Sequence, residues 1–182
     1  MAKLQTPRER WIQEGWRALA AGGPDAVRIE AIAASIGVTK GGFYWHFADR
    51  QAFLAELIEA WERAVTDDVI DRVETAGGDA RARLRELFGI AIAAPELLSL
   101  DLAIRDWARR DSSVAVALKR VDNRRMDYLR TLFGDVYADP DEVEARSHLV
   151  FALYVGGHYV AADHGGRTRE EVDAATLELL LR

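Results

Sequence analysis

Cysteine is absent from all 182 residues. Disulfides, thiolate zinc sites and cysteine nucleophiles are therefore excluded together, and the chain suits a reducing compartment. Proline is scarce, at four residues, and each one sits at a break between apolar-periodic segments rather than inside one. No segment alternates polar and apolar residues for long enough to form a sheet. The longest nearly apolar stretch, Leu149 to Ala162, holds His158 and two glycines. It is too short to span a membrane and reads as a buried helix. Charged residues follow Met1–Gln5 with no apolar run behind them, so no signal peptide is expected and a cytoplasmic location is. Gly-x-Ser-x-Gly, a phosphate-binding glycine loop with lysine, and His-Glu-x-x-His are all missing, so the sequence predicts no enzyme. It suggests no cofactor either.

What remains is a composition that can bury a sizeable core, with 49% hydrophobic and 30% charged residues. A net charge of −6 argues against a nonspecific nucleic-acid binder, but the charge is uneven. Through residue 50 the chain carries +2, and beyond it −8. A basic head on an acidic body is expected where only the head meets phosphate.

Almost every segment reads as helix. Thr6-Pro7-Arg8-Glu9 is a start signal, with threonine as N-cap and proline at the first helical position. Ile12, Trp16 and Leu19 give the first apolar stripe, which Gly22-Gly23-Pro24 ends. Ile29, Ile32, Ala33 and Ile36 follow at helical spacing, with Gly37 as the stop. A short third helix is predicted from about Thr39 to His46. Asp49 caps a long fourth helix with Phe53, Leu54, Leu57, Ile58, Trp61 and Val65 on its apolar face, ended by Gly77-Gly78 at the latest. Further helices fit about 79–94, 95–110, 112–133, 140–164 and 168–181, the last opened by the capping box Thr168-Arg169-Glu170-Glu171. The fold class is all-α with about nine helices. Residues 1–50 form a three-helix head, joined by the fourth helix to a helical body, 51–182.

Two short helices joined by Gly37-Val38 are the geometry of a helix-turn-helix, with glycine for the turn and Val38 as a plug between the helices. The second helix of such a unit enters the major groove. Thr39, Lys40, Tyr44 and His46 supply donors there, and Gly41 and Gly42 allow close backbone approach. Trp45 is either a surface anchor or part of the core. Asp49-Arg50 adds a cation and a helix start beside the same surface. Phe43 and Phe47, one turn apart, read as core.

The run Ile32-Ala33-Ala34-Ser35-Ile36-Gly37-Val38-Thr39-Lys40-Gly41-Gly42-Phe43-Tyr44-Trp45-His46-Phe47, followed by Asp49-Arg50-Gln51-Ala52-Phe53-Leu54, resembles the tetracycline-repressor (TetR) family of bacterial transcription regulators. The resemblance covers roughly the first third of the chain. It implies phosphate contacts from Thr39, Tyr44, His46 and Arg50, and base contacts around Lys40, Gly41 and Gly42. Arg28 departs from the family's serine or threonine cap on the second helix, though its longer side chain can still reach the backbone of DNA.

A lone helix-turn-helix reads few base pairs, so a homodimer on a palindromic operator is expected. The resemblance implies a four-helix bundle made by the last two helices of each subunit. Leu153, Gly156, Gly157 and Val160 on the penultimate helix, and Val172, Ala175, Thr176, Leu179 and Leu180 on the last, are the candidate interface. The competing reading is that these residues close a monomer core. Phe88, Trp107, Arg125, Met126, Phe151 and Tyr154 are candidate walls of a pocket for a small-molecule effector. Arg125 lies on an apolar stripe and so needs a partner, which is either Asp101 or an anionic ligand. His158 reads as a core or interface residue, and His158 and His164 are wrongly spaced for a shared metal on one helix face, so no metal site is expected. The sequence thus points to a ligand-responsive repressor. The alternative is an interaction protein of the same fold that no longer binds an operator.

Overall fold

The computed structural model describes residues 7–182, so the expected cap at Thr6 and the opening residues 1–5 lie outside the described residues. These residues contain ten α-helices and two single turns of 3-10 helix, with no strand. The helices are α1 (Pro7–Gly22), α2 (Ile29–Ser35), α3 (Lys40–Phe43), α4 (Arg50–Val65), α5 (Asp67–Ala76), α6 (Ala80–Ile92), α7 (Pro95–Ala108), α8 (Ser112–Gly134), α9 (Pro140–Gly156) and α10 (Arg169–Leu180). Each of the four prolines opens a helical element, where its missing N–H costs nothing and its fixed φ is already helical.

Two compact units result. The first combines the chain through Val65 with Glu96–Val121. Its core brings together Trp11 and Leu19 of α1, Ile29, Ile32 and Ala33 of α2, Phe43 and Phe47, and the whole predicted face of α4, with Leu100, Ile104, Val114 and Val121. The stripe of α1 is turned by one residue from the expected one. Trp11, Gly15 and Leu19 face inward, while Ile12 and Trp16 are half-buried. Gly15 explains the rotation. A Cβ there would stand 2.7 Å from both Leu57 Cδ2 and Phe53 Cζ, so α1 and α4 touch at a residue that a count of apolar side chains passes over.

The turn after α2 forms as its residues dictate. Gly37 has φ 73°. Its N–H donates to Ala34 O at 3.2 Å and that of Val38 to Ala33 O at 2.9 Å, the paired bonds of a Schellman ending. Val38 itself is 38% exposed, so it does not plug the gap; Ile36 is the buried residue there. Beyond it, α3 is one turn long, shorter than expected, and residues 44–46 continue as a hydrogen-bonded turn. Gly41-Gly42 accounts for this, because paired glycines carry the largest entropic cost of staying helical.

The second unit comprises Thr66–Pro95 and Asp122–Arg182. Leu84, Leu129, Leu132, Phe133, Val150, Leu177 and Leu181 form its core. Two helices differ from expectation. The fourth helix ends well before its latest limit at Gly77: it breaks at Thr66 (φ −122°, ψ −85°), and a separate α5 begins at Asp67. Thr66-Asp67-Asp68 is a helix-start sequence, with a capping residue type and two acids in the first turn, and it outweighs the apolar periodicity running through it. The penultimate helix stops at Gly156 rather than 164, followed by a 3-10 turn and an extended stretch from Val160. Gly156-Gly157 marks the end of the helix. His158, Val160 and His164 therefore lie beyond α9.

Candidate nucleic-acid interface

An aromatic cluster fixes α3. The Phe43 ring is fully buried and lies 5.3 Å from Trp11, 5.0 Å from Phe47 and 5.4 Å from Phe53, mostly edge to face. Phe47 and Phe53 close the set at 4.6 Å. Arg10 donates to the carbonyl of Ile36 at 3.0 Å, tying α1 to the turn before α3. With Phe43 anchored inward, the residues beside it face out. Tyr44 is 54% exposed and Trp45 89%. Of the two readings of Trp45, burial in the core is thereby removed. A large indole left almost wholly in solvent, beside a tyrosine and cations, forms a surface suited to nucleic acid.

The remaining predicted residues divide by what holds them. Arg28 occupies the N-cap of α2 in extended backbone (φ −107°, ψ 122°), with no side-chain cap bond, so it does not replace the missing serine or threonine as a cap. Its side chain is exposed, as are Thr39 at the N-cap of α3 and Gly41. Gly42 and His46 are half-buried, the latter packed against Phe47 with ring centroids 6.1 Å apart. A Cβ at Gly42 would meet nothing within 4 Å and one at Gly41 only Thr39 Oγ1 at 3.6 Å, so within the chain neither glycine is demanded by crowding.

Lys40 and Arg50 are engaged within the protein. Lys40 Nζ is 2.5 Å from Glu30 Oε1, an exposed ion pair. The hydrogen bond from Lys40 holds the Glu30 carboxyl below its ordinary range, and Glu30 in turn raises the ammonium. Arg50 Nε donates to Val27 O at 2.8 Å, and its second nitrogen donates to Pro24 O. The guanidinium thereby straps the turn between α1 and α2 to the start of α4. Asp49 accepts from Ala52 N–H at 2.8 Å, the expected cap of α4. The sequence gives no sign of either the Glu30 or the Arg50 contact, because both join residues that are remote along the chain.

In the second unit, Phe88, Met126 and Phe151 are half-buried against its core, and the Arg125 guanidinium lies 5.5 Å from the Tyr154 ring centroid, a cation–π contact. Trp107 packs against the core of the first unit instead. Asp101, fully buried, accepts from Arg105 Nε at 2.8 Å, one turn along α7. Trp61 lies on the apolar face of α4 that the periodicity predicts. It is fully buried, and its indole N–H has no hydrogen-bond partner.

Of the residues expected at a dimer interface, Val160 is 48% exposed and Leu179 62%, joined by Leu149 at 53%. Ala175 is exposed, while Leu153, Gly156, Gly157, Val172, Thr176 and Leu180 are half-buried. The core side of α10 is carried by Leu177 and Leu181, which the stripe read from sequence omitted. Among the described residues no single helix is long and apolar enough to cross a membrane.

Residues 12–57 match the family model described as bacterial regulatory proteins, tetR family. Curated protein sequences give no significant match. Solved structures share the fold along nearly the whole chain. A protein from Saccharomonospora viridis, solved in complex with choline, superposes with a TM-score of 0.78 at 20% identity, over 95% of this chain and 94% of that one. A TetR-family regulator from Agrobacterium tumefaciens gives 0.75 at 15% identity, over 94% and 96%. The ketosteroid regulator KstR2 of Mycobacterium tuberculosis gives 0.70 at 18%, over 98% and 95%. Residues 12–57 thus carry a sequence pattern similar to that of the tetR family of bacterial regulatory proteins, seated on a buried aromatic cluster, and the fold is shared with these solved structures along nearly the whole chain.

Proposed function

We propose that the chain is a homodimeric repressor, in which residues 1–50 read a palindromic operator and residues 51–182 bind an effector and the second subunit. One observation carries the DNA-reading part: the buried Phe43 cluster presents Tyr44 and Trp45 to solvent, within a head of net positive charge. Thr39, Tyr44, His46 and Arg28 contact phosphates, Lys40 meets a base edge, and Gly41 and Gly42 let the backbone approach the groove. Trp45 packs on the sugar-phosphate wall or a thymine methyl. Arg50 acts chiefly by holding the head together, since two carbonyls already engage it.

Dimerisation through α9 and α10 is supported by the aliphatic side chains left in solvent there, Leu149 and Leu179 foremost. An effector is favoured by Phe88, Met126, Phe151 and Tyr154, which give apolar and aromatic surface in the second unit, with Arg125 paired internally or gripping an anionic group of the ligand. The family's mode of release follows: the effector prefers one arrangement of the body and changes the spacing of the two heads. The break at Thr66 would then be where α4 moves independently of α5.

The test is selection of duplex DNA from a random pool by the purified protein, with Tyr44→Ala as control. Enrichment of a pseudo-palindrome with half-sites about one helical turn apart supports a dimeric reader. Enrichment no greater than with the control rejects it and leaves an interaction protein of the same fold.

A further inference from the structure

Glu30 stands in the first turn of α2, and its carboxylate meets Lys40, the first residue of α3. The two side chains are 65% and 51% exposed, on the part of the head that also carries Tyr44 and Trp45. An acidic side chain on a surface meant for a polyanion works against affinity. The fold does not need it there, because Ile29, Ile32 and Ala33 anchor α2 and an ion pair this exposed stabilises little. Arg28, two residues earlier, adds to the pull on the same carboxylate. The recognition surface thus contains a fixed anion bracketed by cations.

Resting on the DNA-reading role above, we propose that Glu30 is a specificity-determining residue, which holds Lys40 off the phosphates and makes the pair a reader of one G·C base pair. A lysine ammonium has three N–H donors and no acceptor. If Lys40 exchanged Glu30 for a phosphate, it would swap one anion for another, with Glu30 repelling the phosphate. At a guanine edge no such exchange is required. One N–H stays on Glu30 while the other two reach O6 and N7. Sequence-independent contacts are thereby suppressed, and a single base pair is favoured.

The experiment compares parent, Glu30→Gln, Lys40→Met and the double variant, all as full chains, by selection from random DNA and by binding to random-sequence duplex across a salt series. All four are expected to melt together, because neither side chain is buried. The parent should fix a G·C pair at one position of each half-site, and Glu30→Gln should lose that preference. On random DNA, Glu30→Gln should steepen the log–log salt dependence by about 0.9, the equivalent of one added phosphate contact. In the Lys40→Met background the Glu30 substitution should change nothing, because its effect passes through Lys40. An unchanged preference and salt slope in Glu30→Gln, or an effect that persists without Lys40, overturns the proposal while leaving the DNA-reading role intact. If the parent itself enriches no sequence, both fall together.

Discussion

The two compact units leave different kinds of side chain unburied. In the first, Tyr44 and Trp45 form an exposed amphipathic pair beside Arg28, Thr39 and Lys40, and the aliphatic groups left open are Val38 and Val116. In the second the exposed groups are mostly aliphatic, Ile92, Leu149 and Leu179, with Tyr159 and Val160 in the stretch between α9 and α10. Interlocking aromatic rings around Phe43 pack the core of the first unit. Exposed arginine pairs lie on both units, Arg120 making two bonds to Glu62 in the first at 3.0 and 2.7 Å. Arg85 makes two bonds to Glu178 at 2.7 and 3.0 Å, and Arg130 two to Glu144 at 2.6 and 2.9 Å. Arg81 and Arg146 bracket the Tyr137 ring, and both donate to carbonyls at the end of α10. The contrast fits the use proposed for each surface. An exposed aromatic with a polar edge among cations suits a wet, charged polymer; a bare aliphatic face suits the dry surface of another protein.

Four substitutions test that division. The largest effect is expected from Phe43→Ala, which removes the ring at the centre of the aromatic cluster. It should cost about 3–5 kcal/mol in urea unfolding and abolish operator binding. Retained binding with a loss below about 1 kcal/mol would mean that α3 is not positioned by that cluster.

Leu179→Glu addresses the second unit. A carboxylate placed in a closed aliphatic interface should weaken self-association by about 100-fold or more, read by sedimentation, while the helical signal stays at the parent value. Undiminished self-association would take α10 out of the interface and leave its exposed leucine unexplained.

The smallest effects distinguish two residues that the family pattern treats alike. Arg50→Ala should cost about 2 kcal/mol of stability, through two lost bonds from a charged donor to backbone carbonyls. Tyr44→Ala should leave stability near the parent value and lower the salt slope of DNA binding by about 0.9. If Arg50→Ala melted with the parent and altered only the salt slope, the strap would be incidental and Arg50 a phosphate contact like Tyr44.

Much of this was legible from residues alone. Caps, proline starts and glycine stops act over four or five positions. Segments opened by Pro95, Ser112 and Pro140, and the capping box at Thr168, therefore became helices as expected, with Thr168 Oγ1 accepting from Glu171 N–H at 3.2 Å. Where two local signals competed, periodicity misled. The apolar pattern continued through Thr66 and past Gly156, yet a start sequence in one place and a glycine pair in the other ended the helices. Gly15 was invisible for a different reason: it contributes by lacking a side chain, and only the position of Phe53 and Leu57 gives that lack its meaning.

The sequence by itself determined the all-α class, the order of the helices and the residues that stand in and around α3. These follow from short-range chemistry, namely periodicity, capping and the left-handed turn at Gly37. Only the tertiary structure decided that Glu96–Val121 packs with the head rather than with its sequence neighbours, that Arg50 serves carbonyls of its own chain, and that Lys40 is held by Glu30. Charged side chains are long and take whichever partner the fold brings within reach. That choice rests on contacts between residues that are far apart in the chain, which local sequence patterns do not encode.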